Sequence, residues 1–145
     1  MVHRQDLYEL EEAFRLMFRK VKASWTRFEA HGVSASQAVI LEKLQNEGPL
    51  KVSQIADALW ITSGAVTSLS DKLISGGFAE RTRSEEDRRV VYMEITEKGK
   101  EIIEELHLHR QRVVEEYFGK LPDEDIKHLT RICKAILTET QEVNV

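Results

Sequence analysis

The 145-residue chain holds a single cysteine, Cys133. One thiol cannot make an intrachain disulfide, and no Cys-x-x-Cys pair is available for redox exchange or metal binding. That usage suits a reducing cytoplasm. No apolar stretch is long enough to span a membrane. The start, Met1-Val2-His3-Arg4-Gln5-Asp6, is not followed by the apolar run of a secretory signal. An excess of positive charge is also missing, with 21 Lys and Arg against 25 Asp and Glu, net −4. Binding DNA displaces counterions from phosphates by Lys and Arg, so this balance counts against nucleic acid. It does not exclude it, because an acidic total can still carry a basic stripe. There is no phosphate-cradling glycine loop, no serine elbow and no paired-histidine metal motif, so neither an enzyme nor a cofactor is expected. His107 and His109 stand two apart and point to different sides of a helix, while His3, His31 and His128 are scattered. No internal repeat or low-complexity linker divides the chain.

What remains is apolar and mixed-charge material, 41% hydrophobic and 32% charged, enough for the core of one ordinary domain. Leu7, Phe14, Val21 and Phe28 recur at heptad spacing, with Leu10 and Met17 in a second seam, and predict a long first helix ending at Gly32. Such a stripe packs either on its own chain or on a second one. Ser34-Ala35-Ser36-Gln37 has capping-box spacing ahead of Val39, Ile40, Leu41 and Leu44, and Gly48-Pro49 stops that helix.

Two short helices follow. Val52, Ile55, Ala56 and Leu59 give the first, with Ser53 near its start. Trp60-Ile61 forms a turn, and Thr62 is an N-cap for the second. Val66, Leu69 and Leu73 line the buried face of that second helix, and Gly76-Gly77 ends it. This is a helix-turn-helix pattern. Phe78 to Arg83 then reads as a strand, and Val91, Met93 and Ile95 alternate with Val90, Tyr92 and Glu94 in a second. The charged loop Ser84 to Arg89 joins them, which makes a wing. Thr96 caps another long helix carrying Ile102, Ile103, Leu106, Val113, Val114, Tyr117 and Phe118. After Leu121-Pro122-Asp123 a last helix is striped by Ile126, Leu129, Cys133 and Ile136, which predicts a buried, inert thiol. The fold class expected is mainly α with a small β-wing.

With Val66, Leu69 and Leu73 inward, helical spacing turns Ser63, Gly64, Thr67, Ser68, Asp71 and Lys72 outward. Short side chains let a helix sit deep in the major groove, where hydroxyls meet base edges and Thr methyls meet thymine. The free N–H groups at its start suit a phosphate. The same face also fits an ordinary solvated surface. In the wing, Arg83, Arg88 and Arg89 flank Asp87. An arginine at a loop tip can enter the narrow minor groove, and a nearby carboxylate can hold its guanidinium. Between Trp60 and Met93 five cations face five anions, so binding must depend on placement and respond steeply to salt.

The string Asp87-Arg88-Arg89-Val90-Val91-Tyr92-Met93-Glu94-Ile95-Thr96-Glu97-Lys98-Gly99 resembles the wing and following helix start of the MarR family of bacterial transcriptional regulators. Ser63-Gly64-Ala65-Val66-Thr67 and Leu73-Ile74-Ser75-Gly76-Gly77-Phe78-Ala79-Glu80-Arg81 resemble its recognition helix and the turn into the wing. The resemblance spans the chain, and it implies a homodimer that binds double-stranded DNA at a palindromic operator, usually as a repressor. Residues 34–96 would form the winged helix-turn-helix lobe, and 1–33 with 97–145 the helical dimerisation region. The DNA contacts implied fall on Ser53, Thr62, Ser63, Gly64, Thr67, Ser68, Lys72, Arg83, Asp87, Arg88 and Arg89, with Asp87 orienting Arg89. Relatives of this kind are often released by small phenolic or aromatic effectors. Trp25, Phe28 and Trp60 are the aromatics that either line such a cavity or belong to the core. A winged-helix module that binds protein, an antirepressor, is the rival reading, motivated by Glu85 and Glu86.

Overall fold

The computed structural model describes residues 1–142. In chain order these form α1 (Arg4–Thr26), β1 (Glu29–Ala30), β2 (Val33–Ser34), α2 (Ala35–Glu47), α3 (Val52–Leu59), α4 (Ser63–Ser75), β3 (Ala79–Arg83), β4 (Val91–Ile95), α5 (Glu97–Phe118) and α6 (Asp123–Glu142). Two units are distinguished, Met1–Arg110 and a second beginning at Gln111.

The core of the first unit is drawn from every helix of the predicted lobe. Ile40, Leu41 and Leu44 of α2, Ile55 and Ala56 of α3, Val66 and Leu73 of α4, Met93 of β4 and Ile102 of α5 are buried together. Each large side chain removed from water contributes about 2 kcal/mol. Local chemistry sets where the helices start. Ser34 Oγ accepts from Gln37 N, and Gln37 Oε1 accepts from Ser34 N, which is the capping box read from the sequence. Thr62 Oγ1 accepts from Ala65 N at 3.1 Å and opens α4. β3 and β4 pair antiparallel with Arg81 opposite Met93, and Leu50 adds a bridge to Met93 through two backbone hydrogen bonds.

Three sequence expectations change. α1 ends at Thr26, and Phe28 is not on it. A two-residue turn intervenes, in which His31 and Gly32 have φ of 54° and 83°. Positive φ at both central positions matches the twist of a tight hairpin, so β1, where the sequence predicts helix, pairs with β2 beyond the expected helix end. The Glu29 carboxylate accepts from Gly32 N–H at 2.7 Å and helps hold the turn. Secondly, the α1 stripe divides: Val21 is buried, but Leu7, Leu10, Phe14 and Met17 are exposed. Thirdly, Cys133 is exposed, not buried, because the apolar stripe of α6 that carries it is itself uncovered at Ile126 and Ile136.

Ser70, on the inner face of α4, is buried beside Val66 and Leu73, and its hydroxyl has no hydrogen-bond partner. A buried hydroxyl without a partner loses its hydration and regains nothing. Ser70→Ala keeps the shape and removes the polar atom. It should raise unfolding free energy by about 1 kcal/mol in a urea titration, and a lowered stability would contradict the assignment.

Candidate nucleic-acid interface

The outer face of α4 is built by its N-cap and its inner stripe together. Thr62 sets the first turn, and burial of Val66, Ser70 and Leu73 fixes the rotation. Thr62, Ser63, Gly64, Thr67, Ser68 and Lys72 are consequently all exposed, as is Ser53 near the start of α3. Thr67 donates its hydroxyl to Ser63 O at 2.9 Å, which leaves its oxygen as an acceptor and its methyl for apolar contact. Gly64 has helical φ, and a Cβ built there would meet nothing nearer than Thr62 Oγ1 at 3.9 Å. Nothing inside the chain therefore requires glycine at this helical position, where it costs backbone entropy. What its smallness provides is close approach from outside.

The wing is held by a set of local bonds. Ser84 Oγ accepts from the backbone N–H groups of Glu86 and Asp87, and Arg83 Nη1 donates to Arg88 O at 2.9 Å. Asp87 takes Arg89 in a fork: Nε donates to Oδ1 and Nη2 to Oδ2, both at 3.1 Å, and Arg89 N–H adds a third bond to Oδ1. These bonds hold the Asp87 carboxyl below its usual pKa. The Arg89 side chain is nevertheless 91% exposed. As an exposed pair it adds little stability, but it restricts where the guanidinium can point. A second brace was not legible in the sequence. Arg81 Nη2 of β3 donates to Asp71 Oδ1 of α4 at 2.6 Å, tying the wing to the helix beside it. Of the five local carboxylates, two are thus engaged by arginines.

Behind the wing, α5 grips the turn that ends α4. Thr96 Oγ1 donates to Gly77 O at 2.6 Å, Thr96 N to Phe78 O at 3.1 Å, and Lys98 Nζ to Gly76 O at 2.7 Å. The Lys98 ammonium also lies 4.6 Å from the centroid of the Phe78 ring. Thr96 Oγ1 in turn accepts from Gly99 N and caps α5.

A separate cleft of about 340 Å³ lies in the first unit, lined by Lys22, Trp25, Val39, Leu106, His109 and Arg110 among others. Trp25 is there, half-exposed. Phe28 is core, with its ring edge-to-face against His109 at 5.4 Å. Trp60 is neither core nor lining: it is 94% exposed in the turn between α3 and α4. His109 Nε2 lies 2.9 Å from Ser24 O. Arg110 donates through both terminal nitrogens to the Glu42 carboxylate, and this holds Glu42 below its ordinary pKa against the opposing effect of burial. The Glu42–Arg110 pair could not be singled out from spacing, since the two residues are 68 apart.

Among the described residues no helix is long and apolar enough to cross a membrane, and no group of three or more His, Cys, Asp or Glu could hold a metal ion. Residues 33–91 match the model of the MarR family. The chain is 33% identical over 128 residues to YkoM of Bacillus subtilis, an HTH-type transcriptional regulator, covering 87% of this chain and 83% of that protein. It is 27% identical over 143 residues to the HTH-type transcriptional repressor MdtR of the same organism, covering 95% and 92%. A solved MarR family protein from Bacillus stearothermophilus superposes with a TM-score of 0.79 at 26% identity, over 97% of this chain and 99% of that one. Winged lobe, sequence and architecture agree, and the chain belongs to the MarR family of DNA-binding, winged helix-turn-helix transcriptional regulators.

Proposed function

We propose that this chain acts in the cytoplasm as a homodimeric repressor of a palindromic operator, reading DNA with α4 and the wing of residues 34–96. The observation that carries the reading is Arg89, forked by Asp87 yet almost fully exposed. A guanidinium held ready in this way loses little conformational freedom on entering a minor groove. The short outward side chains Ser63, Gly64, Thr67 and Ser68 support entry of α4 into the major groove, and Ser53, Lys72, Arg83 and Arg88 are the neighbouring phosphate contacts. Repression is supported by likeness to MdtR, a protein named as a transcriptional repressor. The helical remainder, 1–33 and 97–145, is assigned to dimerisation, supported by the uncovered apolar stripes of α1 and α6.

The cleft suggests how the repressor is released. An aromatic wall at Trp25, apolar Val39 and Leu106, and the Lys22 ammonium suit a small aromatic or phenolic effector.

Duplex selected from genomic fragments by the intact protein provides the test. Arg89→Ala should weaken binding about tenfold or more and lower the slope of log affinity against log salt by about one. Unchanged affinity in a salt-controlled gel-shift would remove the wing from the reading. Failure of the wild-type protein to enrich any duplex at low salt would favour a protein-binding role.

A further inference from the structure

Trp60 combines two costs. Its backbone is left-handed, with φ of 58° and ψ of 39°, at the end of α3. Ile61 N–H donates to Ala56 O at 3.1 Å, so the turn closes α3 as glycine commonly does. A side chain with a Cβ is strained there. The indole is also 94% exposed, the most solvent-exposed aromatic ring of the described residues, and half-exposed Ile61 follows it. An exposed indole gains nothing from the core, so neither folding nor packing accounts for a bulky residue where glycine would be unstrained. The turn stands immediately before Thr62, at the N-terminal end of α4, the end whose free N–H groups and short side chains face outward.

We infer that Trp60 is a DNA-backbone contact, with its indole N–H donating to a phosphate oxygen at the edge of the groove and its ring packing on the adjoining deoxyribose. An indole has one donor and no acceptor, which suits a phosphate oxygen, and its flat apolar body suits a sugar. The contact is to backbone, so it positions α4 without reading sequence. This rests on the DNA-binding reading above and adds to it a residue outside the recognition helix and the wing.

The experiment compares the intact wild-type chain, Trp60→Gly and Trp60→Phe on two probes: duplex enriched from genomic fragments by the wild type, and a mixed-sequence duplex at low salt. Trp60→Gly relieves the strained backbone, so its melting temperature should stay level or rise. Its affinity for both duplexes should fall by the same factor, about tenfold. Because the indole is neutral and releases no counterion, the salt slope should not change, unlike that of Arg89→Ala. Trp60→Phe keeps a ring and loses the donor, and should fall between. Adding duplex to the wild type should reduce acrylamide quenching of tryptophan emission, and this protection should vanish in Trp60→Gly, which reports Trp25 alone. Wild-type affinity of Trp60→Gly for both duplexes would overturn the inference and leave the DNA-binding reading standing. So would a changed oligomeric state, which would assign the indole to a protein contact. If the wild type binds neither duplex, both fall together.

Discussion

On the proposed homodimer, Phe14→Glu should leave the winged lobe folded and give a monomer with operator affinity reduced at least a hundredfold. Leu7, Leu10 and Phe14 are 54%, 62% and 57% exposed, and they continue a heptad seam. Phe14 stacks on Phe18 with ring centroids 5.9 Å apart, so the exposed surface is a preformed aromatic ridge. A contiguous apolar face of this kind marks an interaction site. If a second copy covers it, two-fold symmetry brings the substitution in twice, and each buried carboxylate without a partner costs about 3 kcal/mol or more. The sum, about 6 kcal/mol or more, would weaken a dimer of nanomolar affinity to tens of micromolar or beyond, so the chain is monomeric at the low concentrations of a gel-shift. A monomer then holds one half-site at a time and loses the gain in effective concentration that links two, a factor of about 10² or greater. The lobe should survive because α1 before Val21 contributes no buried residue. Sedimentation velocity, gel-shift and circular dichroism on one preparation check the three parts. A dimeric Phe14→Glu chain would remove α1 from the interface.

Gly99→Ala is the second. A Cβ at Gly99 would stand 2.2 Å from Phe78 O and 2.7 Å from Ile95 Cγ1. Neither is the far end of a flexible side chain. Phe78 O is held by Thr96 N, and the residues before it by Thr96 Oγ1 and Lys98 Nζ, so the turn cannot retreat without losing those bonds. The cost combines overpacking with broken hydrogen bonds, about 3 kcal/mol or more, and the melting temperature should fall by about 10 °C. Gly64→Ala is the internal control. It places the same methyl on α4 where the nearest atom, Thr62 Oγ1, stands at an ordinary van der Waals distance of 3.9 Å, and should not lower the melting temperature. Equal melting of the wild type and Gly99→Ala would show that α5 can shift away from the turn. The glycine of the Thr96-Glu97-Lys98-Gly99 string is thus a packing requirement, through which α5 and the wing share one anchor.

The parts of this molecule that could be read from the residues are those made by neighbours in the chain. The Ser34–Gln37 box, the Thr62 cap and the alternation of β4 each involve groups within a few positions of each other. The Asp87–Arg89 fork does as well, and so it was open to inspection before any fold was known. Folding adds nothing to such contacts except permission for them to persist. Contacts between distant positions could not be read in this way. Asp71 meets Arg81, Glu42 meets Arg110 and Gly99 lies against Phe78 only because particular helices cross at particular places. Residue type misled where burial decided the outcome. Phe28 belongs to the heptad by spacing, but α1 ends at Thr26, so Phe28 lies off the helix and in the core. Trp60 has the apolar body of a core residue, yet the Schellman-type turn at the end of α3 points the chain so that its indole stays in solvent. Local spacing can specify which groups are able to meet. Which apolar surfaces are covered, and which are left for DNA or a second chain, is decided by packing of the whole, since burial is a property of the assembled core and not of any segment.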